Sequence, residues 1–167
     1  MRTLGFSVGH DKGAVVIENG KVVVGITQER LSRVKHDGAY QGGKIPYESI
    51  LYCLNHLGLT INDIHSFVYS TTELHDDVEE QFKEKFGDKK YNISFIPHHL
   101  AHAYSSFFSS GFEDAAVIVA DASGSILNKL NRLNEWYPDV TNEGLEKGED
   151  WTEGISIYHI TRKNFDM

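Results

Sequence analysis

The chain has 167 residues, 40% of them hydrophobic and 11% aromatic, and a formal net charge of −8. That is enough apolar material for one well-buried core, and it excludes a disordered chain. The acidic balance argues against a broad electrostatic hold on nucleic acid or on an anionic membrane surface, so no nucleic acid is expected and small-molecule chemistry is the better expectation. The opening residues lack a signal peptide's apolar run, and no segment approaches the roughly 20 apolar residues of a membrane span. A cytoplasmic protein with no membrane partner is the expectation.

Three strand signals come first, at Thr3–Val8, Ala14–Glu18 and Lys21–Thr27. Asn19-Gly20 between the second and third is a strong hairpin signal, since both residues tolerate positive φ, so those strands should be antiparallel neighbours. Ile45-Pro46-Tyr47 opens a helix whose apolar positions Ile50, Leu51, Leu54 and Leu57 keep a helical period until Gly58 closes it. That helix should cover the sheet, and Cys53 among its apolar positions reads as a core thiol. A short strand follows at His65–Tyr69. Leu74, Val78, Phe82 and Phe86 then mark one apolar face of an otherwise acidic helix stopped by Gly87. Asn92–Ile96 is a further strand, a His-rich helix runs to Ser110, and Ala115–Ala120 reads as a buried strand ending in Asp121-Ala122-Ser123-Gly124. A polar stretch from Asn128 to Trp151 precedes Gly154–Ile160, which reads as the return strand of a hairpin.

The stretch Pro97-His98-His99-Leu100-Ala101-His102-Ala103 holds the sharpest chemical signal. His98 and His102 are four apart, which puts both imidazoles on one helix face, where they can bite a single divalent metal. Pro97 suits the start of that helix, and the partial positive charge of a helix start favours the neutral imidazole a metal needs. His99, one position on, turns about 100° away. Capping or surface roles are the plain alternative for histidines in a first turn. Val8-Gly9-His10-Asp11-Lys12-Gly13 forms the turn between the first two strands, where Gly9 allows close backbone approach to a phosphate. His10 bonded to Asp11 within the turn is the alternative there. The stretch Glu29–Gly38 carries Arg30, Arg33, Lys35 and His36, either as a solvated basic loop or as cationic groups for an anionic donor. Asp121 ends a strand as a metal or phosphate approach or, equally, as a capping turn residue.

Three strands followed by alternating helix and strand resemble the ribonuclease-H-like lobe of the actin, sugar-kinase and heat-shock-ATPase superfamily: an α/β lobe with a mixed sheet, its three N-terminal strands antiparallel. Four stretches narrow the resemblance: Gly9–Ala14, Gln28–Gly38, His98–Ala103, and Ser109–Ala116 running into Asp121. In that order they resemble the O-carbamoyltransferases related to nodulation-factor and antibiotic carbamoylating enzymes, with the hydrogenase-maturation and tRNA threonylcarbamoyl-transferring proteins as wider relatives. Residues 1–112 would be the first lobe, and 113–167 the truncated start of a second.

The resemblance implies transfer of a carbamoyl group from carbamoyl-adenylate, made from carbamoyl phosphate and ATP, to the hydroxyl of a small molecule. It places a divalent metal, iron or zinc, on His98 and His102, and makes His10 the general base on the acceptor hydroxyl. Gly9, Asp11, Lys35, His36 and Asp121 would bind substrate or phosphate. Two features depart from the family. Its Asp-Gly-x-Gly-Glu pattern is here Asp121-Ala122-Ser123-Gly124-Ser125, and the chain ends at Met167, before the rest of the second lobe and the adenylate-forming domain. The chain alone is therefore expected to be inactive, with the exposed hairpin leaving room for a homodimer. A non-catalytic lobe that binds a nucleotide or a partner is the alternative. A zinc hydrolase is disfavoured, because no Glu follows His98 to activate water.

Overall fold

A computed structural model describes residues 1–9, 11–37, 43–72, 77–130, 136–137 and 152–164. The chain folds as two compact units, the first reaching Phe95 and the second built mainly from Ile96 onward.

The first unit is a five-stranded mixed sheet in the order β3-β2-β1-β4-β5. β1 (Arg2–Ser7), β2 (Gly13–Glu18) and β3 (Lys21–Thr27) form the expected antiparallel meander. Asn19 and Gly20 both hold positive φ in the β2–β3 turn, 49° and 77°, as a two-residue hairpin requires. β4 (Ser66–Thr71) lies parallel to β1, and β5 (Ile93–Pro97) completes the order. Alternation buries Leu4 and Phe6 from β1 and Phe67 and Tyr69 from β4. α2 (Tyr47–Leu57) packs on β2 and β3 through Ile50, Cys53 and Leu54, and Gly58 closes it with a left-handed residue. α3 (Val78–Phe86) buries Val78 and Phe82; the expected helix start near Leu74 lies outside the described residues.

One element was missed by sequence. The stretch after β3, expected as a loop, contains the five-residue helix α1 (Gln28–Ser32) and a single tight turn at Lys35–Asp37. Five residues are too few to show an apolar period. Gln28 anchors them to α2: its buried side-chain amide oxygen accepts from the Ser49 backbone N–H at 3.0 Å and from its hydroxyl at 2.7 Å, and its amide nitrogen donates to Glu48.

The second unit comprises α4 (His98–Ser110) against a two-stranded antiparallel sheet of β6 (Asp114–Ala120) and β7 (Ile155–Thr161). Ala103 and Phe107 from α4 meet Val119 and Ile160 in its core. These contacts join α4 to the hairpin. Burial of β6 is corrected: only its inner residue Val119 is buried, while Ile118 on the outer face is 68% exposed. A two-stranded sheet with a helix on one side buries one face only, and alternation then exposes the other. An isolated bridge between Ile126 and Thr152 extends the hairpin, and most of the polar stretch 128–151 lies outside the described residues. No helix among the described residues is long and apolar enough to cross a membrane.

Phe82 is fully buried, and its ring lies 5.3–5.4 Å from those of Phe6, Phe67, Phe86 and Tyr91. Phe82→Ala should therefore lower stability in urea unfolding by about 3–5 kcal/mol. Burial pushes the Cys53 thiol up from its usual range. In native buffer at pH 8 a thiol reagent should leave Cys53 untouched, and reaction at the rate seen in denaturant would show α2 loose on the sheet.

Candidate functional site

α4 presents two faces of different chemistry. His99, Ala103 and Phe107, spaced by four, are all buried, so the helix cannot rotate on its axis without exposing them. His98 and His102 must then point the other way, and their rings stand 4.5 Å apart between centroids. Asp121, at the end of β6, closes the group. Its Oδ2 lies 3.0 Å from His98 Nε2 and 3.5 Å from His102 Nε2, while the two imidazole nitrogens are 3.1 Å apart. Its Oδ1 accepts the Ala122 backbone N–H at 2.7 Å while Oδ2 faces the imidazoles.

Bonds of about 2.0–2.1 Å to one ion put ligand atoms roughly 2.9 Å apart at right angles and about 3.4 Å apart at the tetrahedral angle. The observed triangle has those dimensions. Three such ligand atoms within 4.8 Å of one another make His98, His102 and Asp121 a set that fits a divalent metal. Electrostatics agree with the distances. Burial, then the neighbouring His98, lower the His102 pKa, which keeps its ring neutral. The bond from His98, then the Ala122 N–H, hold the Asp121 carboxyl below its usual range, which keeps it ionised. Neutral imidazole and ionised carboxylate are the forms that ligate.

Behind this triangle lies a buried group that sequence reasoning missed. Glu153 accepts from the Ser125 backbone N–H at 2.7 Å, and Ser125 Oγ in turn accepts the His98 N–H at 2.9 Å. Tyr137 also donates to the Glu153 carboxylate. His99 Nδ1 pairs with Ser156 Oγ at 2.8 Å. No local pattern marks Glu153 among the chain's 24 acidic residues. Its main-chain donors come from Ser125 and His99, 28 and 54 residues away.

In the first unit the basic stretch forms a cavity of about 500 Å³ lined by Asp11, Lys12, Glu29, Arg30, Lys35 and His36, among others. His36 Nδ1 lies 2.8 Å from Asp11 Oδ1, and the His36 N–H donates to Glu29 at 3.1 Å. Arg33, His36 and Asp37 all hold left-handed backbone conformations, with φ of 60°, 55° and 45°. Such a run of non-glycine residues in that region is costly and concentrates at functional loops. Lys12, missed as a site residue, is buried with its Nζ 4.0 Å from Asp37 Oδ2. A side chain at Gly9 would meet nothing within 4 Å, so the space beside that turn is open. The structure thus gathers Asp11, Lys35 and His36 around one cavity, and His98, His102 and Asp121 around one point. His10 lies outside the described residues.

An α/β unit with a cavity of mixed charge beside its first turn, followed along the chain by a two-histidine, one-aspartate cluster, is what the fold and the site present. Residues 2–92 match the family model described as the carbamoyltransferase N-terminus, and the chain belongs to that family. It is 32% identical to the nodulation protein NolNO of Sinorhizobium fredii, over 72% of this chain and 21% of that one. It is 25% identical to an uncharacterized protein of Synechocystis, over 69% of this chain and 24% of the other. The chain therefore spans about a fifth to a quarter of the length of these curated relatives. A solved Aquifex aeolicus member of the Ppx/GppA family overlaps 74% of this chain and 45% of its own at 15% identity and a TM-score of 0.35, a likeness too slight to bear on the fold.

The chain should bind one equivalent of Zn²⁺ or Co²⁺ in equilibrium dialysis. His98→Ala or Asp121→Asn should weaken that binding by more than the roughly 10–100-fold that loss of an outer partner costs. Unchanged binding in both variants would remove the triangle as a metal centre.

Proposed function

We propose that this chain is the N-terminal part of an enzyme that moves a carbamoyl group from carbamoyl-adenylate, made from carbamoyl phosphate and ATP, to the hydroxyl of a small-molecule acceptor. What carries the reading is the His98–His102–Asp121 triangle in a chain of the carbamoyltransferase N-terminus family. The strand order, with β1 antiparallel to β2 and parallel to β4, supports assigning the first unit to the ribonuclease-H-like class.

A divalent ion held by His98, His102 and Asp121, iron or zinc, would neutralise charge that builds on the donor's oxygens. Asp121 contributes one negative charge and the two imidazoles none, so the set leaves net positive charge facing an anionic donor. Lys35 and Arg30 line the cavity of the first unit, where ammonium and guanidinium groups suit phosphate oxygens. Asp11 orients the His36 ring through the bond to Nδ1. His10 would take the proton of the acceptor hydroxyl as it attacks the carbamoyl carbon, and the leaving adenylate departs with the bond to that carbon.

A protein of the relatives' full length carrying this segment should consume carbamoyl phosphate and ATP and carbamoylate a hydroxyl acceptor, while residues 1–167 alone should not. In the longer protein, His10→Asn should lower transfer by about 10²–10⁴-fold and leave carbamoyl-adenylate formation intact, followed by product mass and by ATP-dependent pyrophosphate release. Near-full transfer by His10→Asn would return His10 to a turn residue.

A further inference from the structure

We propose that Glu153 is the positioning residue of the metal site: its buried carboxylate holds, from one point, both segments that carry His98, His102 and Asp121. The inference rests on reading that triangle as a metal centre.

Two segments must keep register for the three ligand atoms to converge, and both terminate on Glu153. The first is the start of α4, whose His99 N–H reaches Glu153 Oε2 at 3.4 Å. The second is the stretch after Asp121, where Ser125 N–H donates to the same Oε2 at 2.7 Å, and the main chain of 124–125 ladders with Glu153 through Gly124 N–H at 2.8 Å and Ser125 C=O at 3.1 Å. Asp121 N–H itself donates to Gly154 C=O at 3.3 Å. Ser125 Oγ closes the circuit by accepting from His98 N–H. A displacement of the carboxylate therefore moves one ligand segment against the other.

The carboxylate is built into its seat. Its side chain is 2% exposed, and among the described residues the cationic candidate beside it is His99, whose Nδ1 is 4.0 Å away. Burying such a charge is costly unless hydrogen bonds compensate. Here donors converge on both oxygens: two main-chain N–H groups on Oε2, and the hydroxyls of Tyr137 and Tyr158 on Oε1. Burial raises the pKa of both tyrosines, so they remain protonated donors. The partial positive charge at the start of α4 adds to the hold. Gly124 completes the seat, since a Cβ there would meet Glu153 Cβ at 2.5 Å, Oε2 at 2.7 Å and His99 Cδ2 at 2.7 Å.

The consequence differs between two substitutions. In Glu153→Ala both main-chain N–H groups lose their acceptor, and the bond from His98 N–H to Ser125 Oγ is left to hold the start of α4 to the segment after Asp121. In Glu153→Gln the amide oxygen can take over the two N–H groups, while the amide nitrogen donates to tyrosine hydroxyls that turn to accept. The test is Co²⁺ titration of the 167-residue chain, read by affinity and by the visible absorption bands that report the ligand set, with circular dichroism of each metal-free variant alongside. Glu153→Ala should weaken Co²⁺ binding roughly 10–100-fold and shift the bands. Glu153→Gln should keep the wild-type affinity and spectrum. Ser125→Ala, which leaves the carboxylate in place and cuts only its link to His98 N–H, should weaken binding several-fold, and it carries the test if Glu153→Ala does not fold. Folded Glu153→Ala or Ser125→Ala with wild-type affinity and spectrum would overturn the positioning role while leaving the metal centre standing. Failure of the wild-type chain to bind Co²⁺, or binding unaffected by His98→Ala, would overturn both.

Discussion

The arrangement of the second unit depends on how the first turn of α4 satisfies its main-chain N–H groups. A helix start leaves such donors without internal partners, and buried ones must find acceptors elsewhere. Pro97 removes one donor before the helix begins, His98 N–H goes to Ser125 Oγ, and His99 N–H goes to Glu153. These bonds set the helix's position along and across the hairpin. Burial of His99, Ala103 and Phe107 then sets its rotation, and rotation decides which histidines remain available. The directions of the His98 and His102 side chains thus follow from the packing of residues one, five and nine positions along.

The first unit uses a different device to hold its polar groups. Lys12 and Gln28 are both buried, one just before β2 and the other just after β3, tied by Gln28 N–H to Lys12 C=O at 2.8 Å. Gln28 is satisfied by Ser49 and Glu48 on α2, whereas the Lys12 ammonium has Asp37 at 4.0 Å. Asp37 and His36 reach their places only through left-handed backbone, a conformation that L side chains resist. Asp11 and Glu29 fix that turn from two sides, one through the His36 ring and one through its N–H. The loop is therefore held by specific polar contacts rather than by apolar packing, which fits a surface that must present charge at a cavity.

Much of this was legible in the sequence, for reasons that differ by element. The β2–β3 hairpin could be read from two residues, because Asn19-Gly20 supplies the positive φ that the turn requires. α2, α3 and α4 could be read from apolar spacing and terminal glycines, and the convergence of His98 with His102 from a four-residue interval. All of these are local signals. What stayed hidden is non-local or too short to be periodic. α1 has five residues, Lys12 meets Asp37 only across 25 positions of sequence, and Glu153 acquires its main-chain donors only when the chain returns beside β6. The exposure of β6 was obscured by composition: Ala115–Ala120 is apolar throughout, and only the presence of α4 on one face alone distinguishes Val119 from Ile118.

The run His98-His99-Leu100-Ala101-His102 shows why residue type is a poor guide to role without a helix to place it on. Three imidazoles lie within five residues, yet one is wholly buried and two converge outward. The buried one has a hydroxyl partner on Nδ1, no partner for Nε2 among the described residues, and the Glu153 carboxylate beyond hydrogen-bond reach of its ring, so it serves the core despite its chemistry. The outward pair gains its meaning from Asp121, contributed by a strand that ends where α4 begins its exposed face. Convergence of a helix face with a strand end, each fixed by its own packing, gives three ligand atoms a common focus without any of them being sequence neighbours of the residue that aligns them.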